Sequence, residues 1–332
     1  MRIAVVVGAA TLLCAAAPAA HAVSSAELYP SASYRYGRFE ARIQFPPADG
    51  VVGSFFLWKN GSEAPGTYWN ELDFEKVRGD CALQLNSIYG QPQIGHETMA
   101  AGVAGLCAGY HSYVYEWTPD HIAWLVDGVE VRRDTGAAAQ AYAANAVDGM
   151  QLRLNIWPGT PAFGGTFSPA SLPQHEFVSW VAYSTYVPDD AGGSFALSWR
   201  ESFEGGRPRR WSMGTWASPL QQSMHVAANV TFIDGVAVLS LTADDATGFT
   251  GTPPQDPGEQ PTEQIPTAIG GAGGGGSSTG SGGSGGTGEQ PLPGSSSGCA
   301  ACSVQTGPDS APAAFAVFAL LVGLLIRLRH RP

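Results

Sequence analysis

Three acidic residues, Glu71, Asp73 and Glu75, alternate with the apolar residues Leu72 and Phe74. Side chains of a β-strand point to opposite faces in turn, so this spacing places the three carboxyl groups on one face of a strand. Three like charges on one surface repel each other, which raises the pKa of at least one carboxyl group and keeps it protonated near neutral pH. A protonated carboxylic acid beside an ionised carboxylate is the pair that cleavage of a glycosidic bond requires.

The spacing of the two glutamates fits that chemistry. In an extended strand the Cα atoms of Glu71 and Glu75 are about 13 Å apart, at about 3.3 Å per residue. Side chains that lean toward each other shorten this by roughly 7 Å, which approaches the roughly 5–5.5 Å between the carboxyl groups of a retaining glycosidase. A solvated strand face that carries three acids would show the same bare pattern, so the surrounding residues must distinguish the two.

Short alternating segments with turn residues between them recur through residues 23–250, whereas helix patterns are scarce. Many short strands of this kind predict one all-β domain, with two antiparallel sheets packed as a sandwich or jelly roll. The alanine-rich residues 137–146 fit both a loop and a helical turn. The predicted strands are residues 36–45, 53–58, 82–89, 111–117, 151–157, 177–186 and 236–241, with a hairpin at 121–131.

Polar and aromatic residues on these strands are typical of a sugar-binding cleft. Gln84 and Asn86 share one strand face, and so do Arg153 and Asn155. Such side chains donate hydrogen bonds to hydroxyl groups, and flat rings stack on the apolar faces of pyranose units. A single tryptophan packs in a core more often than it stacks on a sugar. The candidates for stacking are Trp58, Trp69, Trp157 and Trp216.

Other chemistries have little support in the sequence. It contains no Gly-x-Ser-x-Gly motif, no His-Glu-x-x-His motif and no phosphate-binding loop. The net charge of −11 over 332 residues, with few lysines, argues against nucleic acids and anionic lipid surfaces as partners. Only Cys81 and Cys107 lie within residues 23–250, and the sequence leaves their redox state open.

The two ends of the chain read as targeting segments. Residues 1–22 combine a basic start, an apolar run and Ala20-His21-Ala22, which predicts a signal peptide cleaved after Ala22. Residues 251–298 are rich in Gly, Ser and Pro and predict a disordered linker. Residues 299–332 hold a predicted hydrophobic helix at 311–326 and an arginine-rich end. With the preceding Gly298-Cys299 pair they resemble the myxobacterial C-terminal sorting tag, and a plain membrane anchor is the alternative.

The segment from Glu71 to Glu75 resembles the Glu-x-Asp-x-Glu signature of glycoside hydrolase family sixteen, in the form typical of its lichenase and xyloglucan-active branches. Residues 36–42, 56–63, 116–119 and 126–128 are also lichenase-like, and the likeness spans most of residues 27–250. A segment like residues 195–242 precedes the Tyr-Gly-x-x-Glu strand in most members but follows the strand ending at Tyr186 here. The resemblance therefore implies a circularly permuted β-jelly roll.

The resemblance also implies roles for individual residues. Glu71 corresponds to the nucleophile, Glu75 to the general acid/base, and Asp73 to a helper that hydrogen-bonds the nucleophile. Phe163 departs from the pattern, since a permuted relative has tryptophan there. The residues that match positions lining the cleft are Phe56, Trp58, Asn60, Trp69, Gln84, Asn86, Arg153, Asn155, Trp157 and Trp216.

The expected protein is thus a monomeric retaining endo-β-glucanase that acts on mixed-linkage β-1,3-1,4-glucan. It would be secreted and tethered to the outer cell surface through its C-terminal segment. Catalysis would need no cofactor, while family members often hold a structural calcium whose ligands the sequence does not identify here. The alternatives are the same fold acting on β-1,3-glucan or xyloglucan, and a surface protein that binds glycans without cutting them.

Overall fold

Strands dominate the computed structural model, which describes residues 22–189 and 192–258. The predicted signal peptide up to residue 21, the linker from residue 259 and the predicted hydrophobic helix at 311–326 lie outside the described residues. Within the described ranges, no helix combines the length and the apolar character needed to cross a membrane.

The described residues form two antiparallel sheets, whose strands are numbered here in chain order. The inner sheet contains β1 (Val23–Pro30), β2 (Ser33–Tyr34), β4 (Val51–Trp58), β5 (Trp69–Val77), β6 (Ala82–Gly90), β7 (Gln93–Gly95), β8 (Thr98–Met99), β12 (Met150–Pro158) and β15 (Trp211–Met213). The outer sheet contains β3 (Gly37–Gln44), β9 (His111–Trp117), β10 (His121–Val126), β11 (Val129–Thr135), β13 (Gln174–Val187), β14 (Ser194–Glu201), β17 (Val230–Ile233) and β18 (Val236–Ala243). The short strand β16 (Met224–His225) pairs parallel to β1.

The strand order differs from the chain order in both sheets. In the inner sheet β15, β1, β12, β4, β5 and β6 are successive neighbours, and β7 and β8 pair with the far side of β6. In the outer sheet β11, β10, β9, β3 and β13 are neighbours, and β14 and β18 share the other edge of the long strand β13. The start of β1 also pairs with β18, so Val23 lies opposite Ala243. The two ends of the domain therefore meet.

The core lies between the sheets and is rich in aromatic residues. Phe55, Phe74 and Tyr115 are fully buried, and the ring centroids of Phe74 and Tyr115 are 4.7 Å apart. The Tyr115 hydroxyl donates hydrogen bonds to the carbonyls of Phe55 at 2.6 Å and Leu72 at 3.2 Å. Each fully buried aromatic side chain contributes about 1.5–3 kcal/mol by leaving water. These contacts hold β4 and β5 of the inner sheet against β9 of the outer sheet.

The alanine-rich segment forms the helix α1 (Ala137–Ala144), which settles an alternative that the sequence left open. It lacks a side-chain cap at its start and a charged residue in its terminal turns. Tertiary contacts stabilise it instead, as is usual for a short helix. Tyr142 is fully buried against Trp117, with ring centroids 5.6 Å apart, and its carbonyl accepts a hydrogen bond from Asn70 at 2.9 Å. Single 3₁₀ turns occur at Pro169–Ser171, Pro219–Gln221 and Ala227–Asn229.

The predicted all-β jelly-roll sandwich is confirmed, and each predicted segment overlaps a strand, with ends that differ by a few residues. A disulfide joins Cys81 to Cys107, with Cα atoms 6.1 Å apart, and ties the start of β6 to the loop before β9. The start of the predicted linker contacts the outer sheet. The Tyr110 hydroxyl donates to the Pro254 carbonyl at 3.2 Å, and Asp256 pairs with Arg42 at 3.2 Å.

Candidate active site

The strand β5 lies in the middle of the inner sheet and is paired along both edges. Glu71 stands between Trp58 of β4 and Ile88 of β6, and Glu75 stands between Ser54 and Gln84. The register runs without a shift from Glu71 to Glu75 on both sides, so the strand has no bulge there. Directly paired residues have Cβ atoms about 4.5–5.5 Å apart, and the acids therefore share their face with these neighbours.

All three acids line one open cavity. Leu72 and Phe74 are fully buried in the core on the other face of the strand. Asp73 lies between the two glutamates and is 4 % exposed. The pattern of alternate acidic residues thus corresponds to a single group of carboxyl groups that faces a concave surface.

Glu71 is a weak acid for a glutamate. Its pKa is raised to about 7, mainly by burial and to a smaller extent by the charge of Glu27. Two groups oppose this shift: the Trp69 indole N–H donates a hydrogen bond to Oε2 at 2.8 Å, and the Arg153 guanidinium attracts the negative charge. Both favour the ionised form that a nucleophile needs.

Glu75 holds its proton more tightly. Its pKa is raised to about 8, mainly by burial and also by the charges of Glu71 and Glu97. Burial also raises the pKa of Asp73 well above its ordinary value, with further contributions from Glu71 and Glu75. The group can therefore hold one ionised and one protonated glutamate near neutral pH, which is the arrangement for general acid catalysis with a carboxylate nucleophile.

The structure brings a majority of the predicted cleft residues to this cavity. Those that line it are Phe56, Trp58, Arg153, Asn155, Trp157 and Trp216. Trp69 and Asn60 do not line the cavity but bond residues that do: the Trp69 indole donates to Glu71, and the Asn60 side-chain oxygen accepts from Arg153 at 3.0 Å. Gln84 and Asn86 are the Cα partners of Glu75 and Asp73 on β6 but do not line the cavity. The Asn86 side chain accepts a hydrogen bond from the His96 backbone at 2.8 Å.

Comparison with known proteins identifies the family. The sequence model of the glycosyl hydrolases family 16 matches residues 10–180. The beta-glucanase of Fibrobacter succinogenes is 34% identical over 248 residues, which cover 73% of this chain and 69% of that protein. This chain belongs to glycosyl hydrolases family 16.

Other family 16 relatives match a smaller part. The beta-glucanase of Paenibacillus macerans is 28% identical over 154 residues, covering 46% of this chain and 61% of that protein. Among solved structures, a Bacillus licheniformis beta-glucanase is similar with a TM-score of 0.39 and 24% identity, covering 48% of this chain and 77% of that one.

The sequence reasoning missed four residues of the family 16 cavity. Ser54, Ala217 and Pro219 line it, as does the buried Glu27 of β1. Glu27 Oε1 accepts a hydrogen bond from Arg153 at 2.6 Å. An acidic residue at an alternate position of a predicted strand could have indicated it, but β1 was not among the predicted strands.

Phe163 contacts an aromatic residue that lines the cavity. The ring of Phe163 stacks on Trp157, with centroids 5.7 Å apart and planes at 1°. Phe163 thus extends the aromatic surface that Trp157 begins.

The described ranges 22–189 and 192–258 contain no group of three His, Cys, Asp or Glu side chains arranged to hold a metal ion. A calcium site built from backbone carbonyls would not need such a group. The structural calcium therefore stays a prediction.

Proposed function

We propose that this family 16 protein is an endo-β-glucanase that hydrolyses mixed-linkage β-1,3-1,4-glucan with retention of configuration. The observation that carries the proposal is the group of three carboxyls in one cavity, where Glu71 and Glu75 have pKa values raised to about 7 and about 8. A protein that only binds glycans has no need for a protonated glutamate beside an ionised one.

The proposed reaction has two steps. In the first, Glu75 donates its proton to the glycosidic oxygen, the bond from that oxygen to the anomeric carbon breaks, and a Glu71 oxygen bonds to the anomeric carbon. In the second, the Glu75 carboxylate takes a proton from water, the water oxygen attacks the anomeric carbon, and Glu71 leaves as a carboxylate. Asp73 lies between them and, in its protonated form, would donate a hydrogen bond to Glu71.

Two observations support the choice of glucan. The relatives with the matches described above are named beta-glucanases. The strand β5 has no bulge between Glu71 and Glu75, as expected for the form of the signature that is typical of the lichenase and xyloglucan-active branches. The rings of Trp58, Trp157 and Trp216 border the cavity and would stack on glucose units.

The location and the order of segments are part of the proposal. The disulfide between Cys81 and Cys107 agrees with export, since disulfides persist in oxidising compartments. We further propose secretion by the signal peptide of residues 1–22, and surface attachment through residues 299–332. The pairing of Val23 with Ala243 agrees with a circular permutation, because a permutation is tolerated where the two ends of a domain are adjacent.

The test is hydrolysis of lichenan, laminarin and xyloglucan by the purified protein, measured as new reducing ends. We expect lichenan to be preferred, whereas a preference for laminarin would overturn the substrate assignment. Glu71→Gln should abolish most activity, and Glu75→Gln should lower kcat by roughly 10²–10⁴-fold. The matched control is Glu130→Gln, at an exposed residue of β11 paired with Arg133, and it should leave activity unchanged. Binding of lichenan without any release of oligosaccharides would indicate a glycan-binding protein instead.

Azide distinguishes the roles of the two glutamates. In Glu75→Ala, an activated aryl glycoside still forms the ester with Glu71, and azide should then give a β-glycosyl azide. In Glu71→Ala, azide should attack the substrate directly and give the α-azide. If Glu75→Ala gave the α-azide and Glu71→Ala gave the β-azide, the roles of the two glutamates would be exchanged.

A further inference from the structure

His225 lies beneath the cavity wall and has no role in the mechanism above. Its side chain is fully buried, and Nδ1 lies 2.9 Å from the Ser25 hydroxyl. Nε2 lies 3.5 Å from Glu27 Oε2, an ion-pair distance, and makes no hydrogen bond within the described residues. Since Glu27 lines the cavity, the imidazole is one residue removed from any bound substrate.

Polar side chains connect this histidine to both walls of the cavity. On one side, the Ser223 hydroxyl lies 2.8 Å from the hydroxyls of both Ser25 and Ser218, and Ser218 lies between the lining residues Ala217 and Pro219. On the other side, Glu27 bonds Arg153 at 2.6 Å.

The other wall continues from Arg153, which donates to Asn60 at 3.0 Å and to Gln151 at 3.0 Å. A chain of polar contacts thus runs from Ser218 through His225 to Asn60. It includes Glu27 and Arg153, which line the cavity.

The chemistry of the partners selects one tautomer of His225. Burial lowers its pKa to about 4, with Arg153 lowering and Glu27 raising it, so the ring is neutral at neutral pH. A neutral imidazole carries one N–H. The ion pair of Glu27 with Arg153 makes Glu27 an acceptor, and an Nε2 lone pair facing it would be repelled. With the proton on Nε2, the N–H points toward the Glu27 carboxylate, and the Ser25 hydroxyl donates to the lone pair of Nδ1. No lone pair of the ring then faces the lone pair of another acceptor.

We propose that His225, as the Nε2–H tautomer, is a positioning residue that holds the Glu27 carboxylate, and through it Arg153, in place for the hydroxyl groups of bound glucan. The inference rests on the proposed function. A sugar held by Glu27 and Arg153 is bound equally in the ground state and the transition state. Loss of the contact should therefore raise KM and leave kcat nearly unchanged.

The test compares His225→Gln with His225→Met on barley β-glucan. Glutamine places an N–H near the position of Nε2, whereas methionine has a similar volume and no donor. We expect His225→Met to raise KM about tenfold, because the Glu27 carboxylate loses its buried polar neighbour, and His225→Gln to stay within about threefold. Equal KM values in both variants and in the unchanged protein would overturn the proposal, even if both variants unfold at a lower temperature.

A second readout does not depend on activity or on the variants. Long-range ¹⁵N–¹H correlation spectra of the unchanged protein, with the His225 signals assigned by their loss in His225→Gln, should show a protonated Nε2 and a bare Nδ1. A proton on Nδ1 would overturn the inference. If the protein binds barley β-glucan but cuts no glucan, the proposed function fails, and the same variants compared by calorimetric binding still decide the role of His225.

Discussion

The hydrogen bond from Trp69 to Glu71 offers a direct test of how the cavity tunes Glu71, the proposed nucleophile. The indole N–H lies 2.8 Å from Glu71 Oε2, and the ring packs edge-on against Trp58, with centroids 4.9 Å apart. Trp69→Phe keeps an aromatic ring at this position and removes the donor. The substitution should therefore raise the pKa of Glu71, because the ionised form loses a partner.

The size of the effect follows from the energy of such a bond. A hydrogen bond to a charged group contributes about 1.5–3 kcal/mol, and one pKa unit corresponds to about 1.4 kcal/mol. The Glu71 pKa, about 7 in the unchanged protein, should rise by roughly 1–2 units. Since Glu71 must be ionised to attack, the acid limb of kcat/KM moves to higher pH by the same amount. Activity at pH values below this limb should fall about 10–100-fold.

The assay is the pH profile of kcat/KM on lichenan. The matched control is Trp58→Phe, which removes an indole N–H that does not bond Glu71; it should weaken binding and leave the acid limb in place. A Trp69→Phe enzyme with reduced activity but an unmoved acid limb would show that the indole only packs. The reasoning about the nucleophile would then be wrong.

Three further predictions concern other parts of the molecule. Asp73→Asn should lower kcat by less than the roughly 10²–10⁴-fold expected of a general acid–base group. The same substitution should shift the pH optimum. A loss of kcat as large as that of Glu75→Gln would contradict the helper role. Removing the disulfide by Cys81→Ser with Cys107→Ser should lower the free energy of unfolding by about 3.5 kcal/mol, because the bond closes a loop with a sequence separation of 26; an unchanged urea midpoint would contradict this. Glu176 is fully buried, and burial raises its pKa well above the ordinary value although the backbone of Ser54 lowers it. Above the unfolded-state pKa of about 4.3 the unfolded chain loses this proton and the folded protein keeps it, so stability falls with rising pH. The change that Glu176→Gln causes in the free energy of unfolding, measured in urea, should therefore be more favourable at pH 8 than at pH 5. An equal change at both pH values would refute the assignment.

The local pattern of the chain predicted much of the fold. Alternation with period two identified the face of Glu71, Asp73 and Glu75, since a strand leaves no other arrangement. The same pattern gave the strands around Arg153 and Trp157, whose side chains do line the cavity. These features depend on residues a few positions apart, which is the range that a sequence pattern reports.

Features that depend on distant contacts were not predicted. Glu27 bonds Arg153 across 126 residues, and Ser25 contacts His225 across 200. Gln84 shows the converse: its alternation with Asn86 is regular, but β6 lies one strand beyond β5 and outside the cavity. The helix α1 stayed open because intrinsic propensity, even that of alanine, predicts a short helix poorly, and its buried Tyr142 supplies the deciding contacts.

Trapping of the covalent intermediate tests the central claim most directly. An activated 2-deoxy-2-fluoro glycoside of a β-glucan disaccharide should form the ester with the nucleophile and release it slowly, because the fluorine destabilises the transition state of hydrolysis. Mass spectrometry of the digested protein should then locate the added sugar on Glu71. A label on Glu75 or Asp73, or an unlabelled protein that still hydrolyses lichenan, would contradict the account.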